Sequence, residues 1–180
     1  MIVSMQNAAD YARRALQIAW DGNLPVDPTA IAQSLVIYKT DDATGVTTSI
    51  PIRVRPLSSN ELHTASGQAS LERTPDGNYV FYCDFNHEEI SYRNRFTIAH
   101  ELGHVLLGHV NEGNPRERDT SFGNYNPIER AANTFAAELI MPEQKVRELF
   151  SGAQSVQQLS EIFGVSNAAM SYRLQNLGLF

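Results

Sequence analysis

The sequence predicts an α+β fold, with a small antiparallel sheet packed on one long helix and a helical C-terminal part. Three observations point there. Apolar residues recur at helical spacing toward both ends of the chain. The stretch between carries β-branched and aromatic residues broken by turn signals. Finally, 180 residues without an internal repeat, low-complexity tract or linker suit one compact body and hardly two independent cores.

The elements follow in order. Met5, Ala9, Ala12, Leu16, Ala19 and Trp20 share one helical face until Asp21-Gly22-Asn23 breaks the pattern. A short second helix starts near Pro28, with Asp27 as N-cap and Ile31, Ala32 and Leu35 inside. Strands are expected at Leu35 to Tyr38, Ser49 to Leu57, Gln68 to Arg73 and Asn78 to Asp84. The Pro75-Asp76-Gly77-Asn78 turn makes the last two a hairpin, and Tyr79 to Asp84 reads as an edge strand able to hold an extended peptide. A long helix at about residues 90 to 109 carries two apolar lines, Phe96-Ala99-Gly103-Leu106 and Ile98-Leu102-Val105. Val110 to Asn126 reads as an exposed connection, after which Ile128, Ala131, Ala132, Phe135, Leu139 and Ile140 mark a helix that opens at Pro127 and closes before Pro142. Helices near 154 to 163 and 167 to 177 end the chain, with Gly164 at a helix-turn-helix-like turn.

Composition narrows the function. A net charge of −6 gives no long-range attraction to phosphate backbones. From Ser151 to Phe180 the only charged side chains are Glu161 and Arg173, so the tail is expected to dock on protein and not on nucleic acid. Cys83 is the only cysteine, which excludes an intrachain disulfide and a multi-cysteine zinc site and fits a reducing compartment. With no secretory-type start and no apolar run of membrane-spanning length, a cytoplasmic location and no membrane partner are expected.

The chemistry concentrates in His100-Glu101-Leu102-Gly103-His104, an H-E-x-x-H pattern inside the long helix. Four residues advance a helix by slightly more than one turn, so both imidazoles can converge on one metal ion. Glu101 sits about 100° round the helix, near enough to serve as base without being a ligand. Imidazole nitrogen and carboxylate oxygen suit zinc, and together they predict a zinc-dependent peptidase.

The third ligand lies outside this motif. A metzincin would carry glycine and histidine where Leu107 and Val110 stand, so that pattern fails. His109 comes one residue early and, on a continuous helix, reads as a helix-end histidine, with a place near the site as the alternative. A gluzincin-type site takes its third ligand from a later helix, where Glu129 and Asn133 lie one turn apart on one face. Glu129 would bind the metal and Asn133 would hydrogen-bond a ligand histidine. Glu138 is the rival ligand, and Glu129 has the alternative role of stabilising a helix N-terminus.

Two blocks at this separation, R-F-T-I-A-H-E-L-G-H-V-L-L-G-H and E-R-A-A-N-T-F-A-A-E-L-I-M-P, resemble the ImmA/IrrE family of metallopeptidases. The resemblance is close over about residues 90 to 142. It implies a zincin-like metallopeptidase domain at 1–150 with a small helical extension at 151–180 packed on it. It also implies His100, His104 and Glu129 as metal ligands, Glu101 as catalytic base, and a helix-turn-helix repressor or other protein regulator, such as an adjacent-gene product, as target. Two further readings stay open: a zincin-like module or toxin-antitoxin component that binds its partner without cutting it, and a DNA-binding regulator using residues 154 to 177. Arg93 and Arg95 are expected either to anchor a substrate carboxylate or oxyanion, or to form a solvated helix face. His63, His87, Tyr82 and Tyr172 all stay open for transition-state stabilisation, and none is assigned to it.

Overall fold

The computed structural model describes residues 5–118, 126–152 and 155–180. Helices α1 (Met5–Ala19) and α2 (Pro28–Ser34) come first, followed by strands β1 (Val36–Thr40), β2 (Thr47–Leu57), β3 (Gly67–Arg73) and β4 (Tyr79–Asn86). Helix α3 (Ser91–Leu106), strand β5 (Arg116–Arg118) and helix α4 (Pro127–Ile140) come next. Helices α5 (Glu143–Phe150), α6 (Val156–Phe163) and α7 (Asn167–Asn176) close the chain. The α+β class expected from the sequence is the class observed. Among the described residues no helix is long and apolar enough to cross a membrane.

Caps fix the helix starts where the sequence places them. Asp27 Oδ1 accepts from the backbone N–H of Thr29 at 2.9 Å and of Ala30 at 3.2 Å, which opens α2. Asn126 Oδ1 accepts from Ile128 N–H at 3.0 Å, and Pro127 takes the first helical position of α4, where a missing N–H costs nothing.

The sheet runs in the order β1-β2-β4-β3-β5. It is antiparallel at every pairing but one, because β2 lies parallel to β4 with Ile52 opposite Phe81. The expected antiparallel sheet thus includes one parallel pairing, and the reason is the connection 58–66. That segment steps across the end of β4, where His87 N–H donates to Leu57 O at 3.0 Å and Asn86 N–H donates to Ser66 O at 2.8 Å. A gap one strand wide is left, and the β3–β4 hairpin folds back to fill it with β4. Tyr79–Asn86 is therefore an interior strand and not the expected edge.

One face of the sheet supplies Ile50, Ile52, Ala69, Phe81 and Cys83 to the core, against Ala99, Leu102 and Val105 of α3. Helix α4 covers α3 from the other side with Ala131, Phe135, Ala136 and Leu139. Each large apolar side chain buried there contributes about 1.5–3 kcal/mol. The two helices approach closely at Gly103, where an added Cβ would lie 3.1 Å from Phe135 Cδ1 and 3.3 Å from Ala132 Cα.

Two elements were not expected. Strand β5 has the sequence Arg-Glu-Arg and exists because it pairs with the β3 edge, Glu117 opposite Ala69. Helix α5 buries only Val146 and begins directly after Pro142, which reads as a terminator in the sequence. Residues 119–125 of the expected connection at 110–126, and the expected helix start at 154, lie outside the described residues.

Leu159, Phe163, Met170 and Leu174 of the tail belong to the same core cluster as α3 and α4. Gly164, in the left-handed conformation at φ +60°, turns α6 into α7 as expected. Arg173 is turned inward, where it pairs with Glu138 and donates from Nε to Met141 O at 3.1 Å.

Candidate metal centre

Helix α3 is buried on every side from Thr97 to Val105, because the sheet covers one face and α4 the other. Polar side chains in that stretch need partners, since a buried unpaired polar group is costly. His100 is 4% exposed, Glu101 1% and His104 0%. Glu129, in the first turn of α4, is buried beside them at 8%.

Three of these side chains converge. His100 Nε2 and His104 Nε2 are 3.0 Å apart. Glu129 reaches both rings, with Oε2 3.2 Å from His100 Nε2 and Oε1 3.3 Å from His104 Nε2. Burial of the Glu129 carboxylate would raise its pKa, but hydrogen bonds with His100 and His104 prevail and hold it at about 2. Glu129 therefore stays anionic toward the two rings. Glu138, the rival ligand, faces elsewhere and is held by Arg173 and by Arg13 Nε at 3.2 Å.

The outer nitrogens of both rings are also engaged. His100 Nδ1–H donates to Asn133 Oδ1 at 2.9 Å, the contact expected from the Glu129/Asn133 spacing. His104 Nδ1 lies 3.0 Å from His109 Nδ1, with the rings edge-on at 65°. Sequence reasoning missed this contact because it continued the helix through His109. Burial, with the neighbouring His104 adding to it, pushes His109 down to about 4, so its ring is neutral near neutral pH.

Glu101 is pressed against the sheet. A Cβ on Gly67, the first residue of β3, would lie 2.6 Å from Glu101 Oε1. Glycine at the start of a strand is the one sequence mark of such a close backbone approach, and it went unread. Phe96, one turn before His100, stacks on its ring at 6.3 Å between centroids. It also lines an open apolar groove of about 430 Å³ with Ile90, Tyr92, Ile140, Val165 and Ala169. A larger depression of about 540 Å³, beside Arg13, Trp20 and Glu143, includes none of the converging residues.

Neither arginine expected near the chemistry faces it. Arg95 donates to the carbonyls of Gly164 at 3.0 Å, Phe163 at 3.4 Å and Val26, and Arg93 pairs with Glu89 at 2.9 Å. Tyr172 is 66% exposed, and Tyr82 lies under Arg55, whose guanidinium carbon is 3.5 Å from the ring centroid.

The residues fit a metal ion. Tetrahedral ligands at about 2.0–2.1 Å lie about 3.3 Å from one another, close to the separations of 3.0, 3.2 and 3.3 Å seen here. The ligand atoms of His100, His104 and Glu129 all fall within 4.8 Å of one another. Two imidazoles and a carboxylate are a donor set for a borderline divalent cation such as zinc.

An α+β body with a buried His-His-Glu cluster, and a second glutamate next to the first histidine in the sequence, is compatible with a metal-binding domain. The model of the peptidase M78 family, described as the IrrE N-terminal-like domain, matches residues 62–175, and the chain belongs to that family. No curated protein matches the sequence.

Proposed function

We propose that this chain is a zinc-dependent endopeptidase acting in the cytoplasm on a protein regulator, such as a helix-turn-helix repressor or an adjacent-gene product. The reading is carried by the convergence of His100, His104 and Glu129 beside the buried Glu101 carboxylate, in a chain of a peptidase family. His100 and His104 would hold the cation through Nε2 and Glu129 through its carboxylate. Zinc bound there supplies a Lewis acid that polarises the scissile carbonyl and lowers the pKa of water toward about 7.

The rest of the chemistry falls to the chain. Asn133 keeps the His100 ring in place by accepting from Nδ1. Glu101 projects from α3 about 100° round from His100, takes the proton of the attacking water on its carboxylate and passes it to the leaving amine nitrogen. Burial of Glu101 shields that exchange from bulk solvent. A protein target, and not a nucleic acid, is supported by the net charge of −6 and by the inward turn of Arg173, the tail's one basic residue.

The test is Glu101→Gln, assayed against co-expressed adjacent-gene product with zinc content measured alongside. Zinc is expected to remain while cleavage falls by about 10²–10⁴-fold, the usual contribution of a general base. Cleavage at the wild-type rate would remove Glu101 from the mechanism. Cleavage that survives complete zinc removal would end the metallopeptidase reading.

A further inference from the structure

His109 lies outside the ligand set, yet it is tied to His104 twice. Leu107 ends α3, Gly108 takes the left-handed conformation at φ +75°, and His109 N–H then donates to His104 O at 3.0 Å while Gly108 N–H donates to Val105 O at 3.2 Å. This is the Schellman arrangement, which requires a residue at ease with positive φ in the place of Gly108. Had the helix continued, residue 109 would point about 140° away from His104. The reversal at Gly108 instead returns the His109 ring to His104, Nδ1 to Nδ1 at 3.0 Å.

Resting on the metal-site reading above, we infer that His109 is a positioning residue whose Nδ1 accepts the Nδ1–H of His104 and so fixes the His104 tautomer. A histidine that offers Nε2 to a cation must carry its proton on Nδ1. In a fully buried ring that proton needs an acceptor, and His109 Nδ1 is the atom in place. With the proton on Nε2 instead, His104 would donate to His100 Nε2 at 3.0 Å, and its lone pair would face away from the cluster. The two ligand histidines are thus oriented by different devices. His100 is held by an amide on the neighbouring helix, and His104 by an imidazole from the turn that ends its own helix.

The test compares zinc affinity, by competition with a chromogenic chelator, for wild type, His109→Leu and His109→Asn. Leucine fills the space without an acceptor, whereas asparagine places an oxygen near the former Nδ1. His109→Leu is expected to weaken zinc binding by about 10–100-fold, the usual effect of removing such a partner, and His109→Asn to recover most of it. Thermal midpoints of the metal-free proteins separate a folding defect from a lost contact. In zinc-loaded wild type, nitrogen-15 NMR should show His104 protonated on Nδ1 and bonded to His109. A deprotonated Nδ1 there overturns the inference however the variants fold. Zinc binding by His109→Leu as tight as wild type, or His109→Asn no better than leucine, overturns it with the metal centre intact. Failure of wild type to bind zinc overturns the underlying reading as well.

Discussion

Adding one methyl group at Gly67 tests how tightly the sheet is pressed on the active helix. A Cβ there would overlap Thr97 Cγ2 and lie 2.6 Å from Glu101 Oε1 and 2.9 Å from Asp84 O. Non-bonded heavy atoms rest about 3.5–4.0 Å apart, so β3 or α3 must shift by about 1 Å. Gly67 is not among the positive-φ residues, so alanine suits its backbone and the cost is steric. Overpacking of this kind costs about 1–3 kcal/mol. At about 2–4 °C per kcal/mol for a chain of this size, the melting midpoint of Gly67→Ala should fall by roughly 2–12 °C. Displacing Glu101 by about 1 Å should in addition slow cleavage by about 100-fold. Thr97→Ser in the same background removes the overlapping methyl and should restore part of the stability without restoring the rate. Denaturant unfolding and a cleavage assay on the three proteins measure both effects. If Gly67→Ala is as stable and as active as wild type, the close approach of β3 to Glu101 is not a property of the molecule in solution.

Two further predictions separate the roles of neighbouring groups. Glu129→Ala should abolish stoichiometric zinc and lower the stability of the metal-free protein at neutral pH, whereas Glu138→Ala should keep zinc and lose about 3–5 kcal/mol by stranding buried Arg173. Metal analysis with thermal melts checks both, and zinc kept by Glu129→Ala but lost by Glu138→Ala would exchange the two assignments. The metal-free protein should lose stability as pH falls. His109 drops from 6.5 to about 4 on folding, so the unfolded chain takes up that proton first and stability is lost across that window. Glu129 drops from 4.5 to about 2, so its contribution is present above 4.5 and is lost on further acidification. Melts between pH 7 and 3 should show the decline, with the upper window flattened in His109→Leu; a flat wild-type profile would contradict both shifts.

What was legible in the sequence is what a 3.6-residue period determines. Phe96 to His104 and Glu129 to Ile140 each announce a helix with a chemical face, so a hydrogen bond from a ligand histidine to Asn133 was expected, and the structure identifies that histidine as His100. The place of His109 was not legible because a helical period carried past Gly108 misses the reversal of the backbone there. The place of β4 could not be read, since strand order depends on where residues 58–66 carry the chain and not on the alternation within Tyr79–Asn86. Strand β5 was hidden because three charged residues carry no pattern of their own and gain their conformation from the β3 edge.

The parallel pairing of β2 with β4 also sets an order of events as the chain folds. Hairpins β1–β2 and β3–β4 each close over a short local turn, on a timescale of about 1–10 μs. The ladder between them has no turn of its own and joins residues far apart in sequence, such as Ile52 and Phe81. It closes only when two preformed hairpins meet side by side, a slower and non-local encounter. Gly67 pairs with Phe85 inside the β3–β4 hairpin, so the surface against which Glu101 rests comes from that local unit and does not wait on the parallel ladder.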